Sequence, residues 1–90
     1  MKVVALPAFT KGFEKLPRPL REKTWYQLNV LLEHVGSPVK PKSLRLKKLA
    51  YGNFEISINM DIRVLFQFQE GALVLVLCGD HEDVHRYLRR

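Results

Sequence analysis

The sequence predicts an α+β domain: a small, antiparallel-rich sheet covered on one face by two N-terminal helices and followed by a short C-terminal helix. Three observations predict it. Residues 8 to 35 carry apolar side chains at helical spacing, residues 54 to 68 alternate with a period of two, and Gly79-Asp80 breaks an apolar run just before Val84 and Leu88. At 90 residues the chain makes a single domain, 1–90, with only a modest core, so a binding partner is plausible from size alone.

Lys2 to Leu6 is short, apolar and rich in β-branched residues, and Pro7 ends it, which suits a strand running into a helix with proline in its first turn. Ala8, Phe9, Gly12, Phe13 and Leu16 then mark one helical face, with Phe9 and Phe13 as packing anchors. Pro17-Arg18-Pro19 turns a corner. Leu20, Thr24, Leu28, Leu31, Leu32 and Val35 line a longer helix, Gly36 fits its end, and Trp25 and Tyr26 lie off the centre of the stripe, where packing is expected. After Pro38 to Pro41 the leucines 44, 46 and 49 among cations suggest a short strand or turn leading into a bend at Tyr51-Gly52-Asn53.

Phe54 to Ile58 alternates cleanly, with Phe54, Ile56 and Ile58 on a buried face and Glu55 and Ser57 on an open one. Asn59 to Asp61 reads as a hairpin turn, and Ile62 to Phe68 as a strand with Arg63, Leu65 and Gln67 on the face opposite Ile62, Val64 and Phe66. Glu70-Gly71 turns the chain into Ala72 to Cys78, an apolar run expected in the middle of the sheet. Gly79 permits a sharp turn, and Asp80 and Asp83 are placed to cap the last helix.

Charge is unevenly distributed. Residues 1 to 50 have a net charge of +8 and residues 51 to 90 a net charge of −2, and from Lys40 to Lys48 there are five cations (Lys40, Lys42, Arg45, Lys47, Lys48) and no acid. Such a density suits the phosphates of a polyanion, or equally a lysine-rich solvated edge. No apolar run is long enough to span a bilayer, the amino end lacks a signal-peptide pattern, and the single cysteine, Cys78, fits a reducing compartment. A cytoplasmic protein without membrane association is expected. Cys78 itself ends an apolar strand and reads as a small core residue.

The segments Ser43-Leu44-Arg45-Leu46-Lys47-Lys48-Leu49, Phe54-Glu55-Ile56-Ser57-Ile58, Ile62-Arg63-Val64-Leu65-Phe66 and Gly79-Asp80-His81-Glu82-Asp83-Val84 follow one another after the Phe9, Phe13 and Leu16 helix. In this order and spacing the chain resembles the RelE/ParE toxin superfamily over nearly its whole length. Its sharpest pieces are similar to that family's strand arginine and terminal glycine–histidine motif. The resemblance implies a toxin of a type II toxin–antitoxin pair, of the RelE, YafQ-like and HigB-like branch, which cleaves mRNA on the ribosome without metal or other cofactor.

By that resemblance Arg63 matches the arginine that holds the scissile phosphate. A guanidinium keeps its charge and can grip two oxygens at once. His81 matches the histidine used for proton transfer, Glu55 stands where a carboxylate base acts in some relatives, and Tyr87 or His85 would stack on a base or donate a proton. Lys47 and Lys48 resemble the basic residues that contact RNA, with Arg45 and Lys42 beside them for the backbone. Two departures are visible: Glu55 and Ser57 replace strand lysines, and the terminal tyrosine position is occupied by His85. The implied partners are a cognate antitoxin, the ribosome and mRNA, with operator DNA met only through the antitoxin complex.

Other readings of the same residues stay open. Arg63 also suits a cross-strand ion pair with Glu55 or Glu70. His81 and His85, four apart, share a helix face and make a two-nitrogen pair that lacks a third ligand of suitable spacing. A ParE-like toxin acting on DNA gyrase, and a homologue that binds an antitoxin with little catalysis, are the alternatives to the endoribonuclease.

Overall fold

A computed structural model describes residues 1–89. Strand β1 (Lys2–Ala5) runs into helix α1 (Pro7–Glu14), with Pro7 in the first turn where no amide hydrogen is needed. Helix α2 (Arg18–Glu33) follows the proline corner, and Gly36, at φ 82°, lies in the turn beyond it. A single 3-10 turn at Lys42–Leu44 leads to β2 (Lys47–Lys48), and a second at Ala50–Gly52 leads to β3 (Phe54–Ser57). Strands β4 (Ile62–Gln69) and β5 (Ala72–Asp80) and helix α3 (His81–Leu88) complete the order.

The five strands form one sheet in the order β1-β5-β4-β3-β2, antiparallel except where β1 lies parallel to β5. Both hairpins have local causes. Glu70 and Gly71 take positive φ together, at 44° and 78°, which matches the twist of the strands they join. Asn59 Oδ1 accepts the amide hydrogens of Asp61 and Ile62, closing the β3–β4 turn with its side chain.

Helices α1 and α2 cover one face as the sequence predicts. Phe9, Leu28 and Leu31 bury against Ile56, Val64, Phe66, Leu73 and Leu75, and Phe54 stacks on Phe66 at 5.6 Å. Trp25 meets Phe13 edge-on at 5.4 Å, so it packs as expected. The fit of α1 is close: a β-carbon on Gly12 would stand 1.7 Å from the Cys78 carbonyl oxygen, so only glycine lets this helix lie on β5.

The expectation of an open second face is corrected. There Leu65, Val74 and Val76 form a second buried cluster with Val84 of α3, flanked by Leu49, Leu77, Tyr87 and Leu88. A register shift between Leu65 and Phe66 pairs Leu65 with Leu77 and Phe66 with Leu75, so Val76 has no opposite number. That bulge turns both Val76 and Leu77 toward α3. Glu55 and Ser57, expected in the open, are buried, at 5% and 9% exposure.

Candidate active site

Two rungs of the sheet set the site. Cross-strand partners point to the same face, and the register aligns Lys47, Glu55, Leu65 and Leu77 in one rung and Ser57, Arg63 and Gly79 in the next. Lys47, Glu55 and Arg63 thus start from the face on which α3 lies. Lys48, opposite Phe54, starts from the other, so the two neighbouring lysines cannot act on one phosphate from the same side.

Helix α3 folds back at Gly79, where a β-carbon would stand 2.5 Å from Asp83 Oδ2. A capping box fixes its first turn: the Asp83 amide donates to Asp80 Oδ1 at 2.8 Å and the Asp80 amide donates to Asp83 Oδ2 at 3.0 Å. That amide bond to Asp83, reinforced by the Arg86 ion pair at 3.0 Å, holds the Asp83 carboxyl below the usual carboxylate range. His81 is the first residue of this helix, and the backbone that carries it begins two residues past the partner of Arg63.

His81 and His85 are both exposed, their rings 4.4 Å apart and their Nε2 atoms 2.9 Å apart. At that distance one imidazole N–H can donate to the other ring nitrogen, with the roles set by the tautomers. Among the described residues no cluster of three or more His, Cys, Asp and Glu side chains is placed to hold a metal. Tyr87 borders a separate hollow of about 260 Å³ with Tyr51, Asn53, Gln67 and Leu88.

The Arg63 guanidinium turns toward the β3–β4 hairpin. Its Nη1 donates to the Asn59 carbonyl at 2.8 Å and to that of Ile62 at 3.3 Å, and it makes no ion pair among the described residues, so the pairing with Glu55 or Glu70 is absent. It lines a cavity of about 540 Å³ together with Arg45 and Ser43, Lys23, Tyr26 and Gln27 of α2, and the Ser57–Met60 edge of the hairpin. The cavity exists because β2 stops after two residues, leaving the outer edge of β3 without a strand beyond Glu55. Gln27 Nε2 donates to the Ser43 carbonyl at 3.0 Å and fastens the 42–44 turn to α2. Arg45 just after it is held at φ 49°, a left-handed conformation that side chains other than glycine rarely adopt.

The structure therefore groups the residues chosen from sequence into pairs: Arg63 with Arg45, Lys47 with Glu55, and His81 with His85. Tyr87 and the exposed Lys42 belong to none of them, and His81 does not line the Arg63 cavity. Lys23 and Gln27 escaped the sequence reading, and Tyr26, expected to pack, instead stands 67% exposed. Their spacing of three and one puts them on one polar stripe of the same helix, and that was the available signal.

By sequence, no family model and no curated protein matches the chain. By structure it is similar to a chain of the E. coli DinJ–YafQ complex, with TM-score 0.73 and 14% identity over 92% of this chain and 96% of that one. A YoeB/ParE toxin from Agrobacterium tumefaciens gives 0.69 and 17% over 90% and 99%, and the RelB–RelE antitoxin–toxin complex from Methanococcus jannaschii gives 0.67 and 13% over 93% and 96%. The fold expected from the sequence is the fold found.

Proposed function

We propose that this chain, which has the fold of the RelE/ParE toxins, is the toxin of a type II toxin–antitoxin pair and cleaves mRNA on the ribosome. The supporting observation is a pair of imidazoles with Nε2 atoms 2.9 Å apart on the first two turns of α3, with the strand that carries Arg63 alongside. In the proposed reaction one imidazole of the pair, His81 or His85, takes the proton of a 2′-hydroxyl. The freed oxygen attacks the neighbouring phosphorus, the bond from phosphorus to the 5′-oxygen breaks, and an acid returns a proton to the leaving oxygen. The products are a 2′,3′-cyclic phosphate and a 5′-hydroxyl.

Arg63 holds the phosphate as charge builds on it, for which its head group exchanges two carbonyl partners for phosphate oxygens. Lys47, on the same sheet face, draws the backbone in, and Arg45, Lys42 and Lys48 supply the surrounding positive field. Glu55 acts from beneath the surface, orienting its neighbours rather than meeting solvent. Tyr87 or His85 steadies a base. An antitoxin, DNA operator contact through that antitoxin, and residence in the cytoplasm with the ribosomes complete the proposal.

Its test is induction without antitoxin, followed by mapping of mRNA 5′ ends. Growth arrest with codon-phased cuts is expected, and His81→Ala and Arg63→Ala should each relieve it, with general acid–base loss alone lowering the rate about 100- to 10,000-fold. Full toxicity in both variants would end the nuclease assignment. Intact mRNA with a DNA-damage response would point to gyrase instead. A second reading, an antitoxin-binding homologue with weak catalysis, is favoured by the burial of Glu55 and predicts growth without cuts.

A further inference from the structure

We infer that the cavity between α2, the 42–45 segment and the β3–β4 hairpin seats one nucleotide of single-stranded RNA. Its phosphate would rest on Arg45 and Lys23, and its base against Tyr26. The inference deepens the nuclease reading, taking from it the choice of RNA and adding a subsite on the α2 side of Arg63, lined by no residue of α3.

Four features carry it. The volume of about 540 Å³ lies in the range of ligand pockets. Three cations, Lys23, Arg45 and Arg63, line it with no carboxylate among the lining residues, and none of the three makes an ion pair among the described residues. Like charges gathered without counter-charge repel one another, and an anion between them relieves that repulsion. Tyr26 is 67% exposed, a large ring left to solvent at the rim of a cationic hollow, which is the combination that takes a phosphate and stacks a base irrespective of sequence. Finally, Arg45 follows a turn that Gln27 ties to α2, so the backbone from which this cation projects is anchored rather than part of a loose loop.

The experiment is fluorescence anisotropy of the full chain with a short 2′-O-methyl RNA, which offers no 2′-hydroxyl for attack, at several salt concentrations. Tyr26→Ala should weaken binding from about 5-fold to over 100-fold, the range for loss of one stacked base, and Tyr26→Phe should recover it. Arg45→Gln and Lys23→Gln should each weaken binding, and together flatten the salt dependence by about 0.7 in log–log slope, the value for one phosphate on a single strand. Lys11→Gln, a charge removed from α1, should change neither quantity. These side chains are exposed, so the variants should fold.

No RNA binding by the parent chain, or unchanged binding in Tyr26→Ala and Arg45→Gln, overturns the inference even if mRNA is cut in cells. Loss in Arg45→Gln but not in Tyr26→Ala would mean a bare patch for any polyanion, an acidic peptide included, and overturns it too. Binding that follows the expected pattern in a protein that leaves mRNA uncut would defeat the nuclease reading and leave the subsite standing.

Discussion

Gly12→Ala sets two known effects against each other with opposite signs. In a helix interior alanine is favoured over glycine by about 1 kcal/mol, so propensity alone predicts a more stable protein. The added carbon, however, would lie 1.7 Å from the carbonyl oxygen of Cys78, where ordinary contact begins near 3.5 Å, so α1 and β5 must separate by roughly 1.8 Å. The obstacle is backbone in the middle of a sheet and cannot rotate away as a side chain would. Overpacking of this kind costs about 1–3 kcal/mol or more, and α1 also carries Phe9, only 2% exposed, out of its seat. The net expectation is a loss of about 1–2 kcal/mol, or about 4–16 °C in Tm for a domain of this size. Urea unfolding followed by the fluorescence of Trp25, whose ring packs on Phe13 of the same helix, measures it directly. A variant more stable than the parent by the propensity value would refute the close approach of α1 to β5.

Asp80→Ala removes the acceptor of the capping box and should cost about 0.5–2 kcal/mol, read as faster hydrogen exchange of the first α3 amides. Acid should reproduce part of the effect. Because the Asp83 carboxyl is held below its ordinary value, its stabilisation is complete above the unfolded value near 3.9 and fades as pH falls below it, so α3 should loosen there in the parent and not in Asp83→Asn. Cys78 lies 2% exposed, with its thiol pushed up to about 11 by burial and then by the charge of Asp83. A thiol-specific reagent at pH 8 should therefore label it only after unfolding, and rapid labelling of the native protein would contradict its placement in the core.

The elements of this fold were readable because their periods are local. The helical stripe through Leu28 and Leu31, the alternation around Phe54 and Val64, and the Asp80–Asp83 cap each show within a dozen residues. The cover over Leu65 and Val76 was not readable, since it depends on a helix that begins only at His81 and on a bulge at Val76 that alternation cannot reveal. The site was legible as a set of residue types and not as an arrangement. Arg63 was found, but its turn toward Asn59 depends on where a hairpin carbonyl falls, and its neighbour Arg45 depends on how abruptly β2 ends. Tyr26 was assigned to packing because its helix has an apolar stripe to fill, yet the ring stands outside it.

The parallel pairing of β1 with β5 has a consequence for when the molecule becomes competent. Residues 2–5 are made well before residues 72–75, yet among the described residues those are their one strand partner. Until that later segment exists the opening strand has nothing to join, the bed for α1 is missing, and α3 has no strand from which to fold back. Assembly must wait for contacts that span most of the chain, a slow class of closure. A nascent polypeptide of this kind gains its full sheet only when residues 2–5 and 72–75 meet.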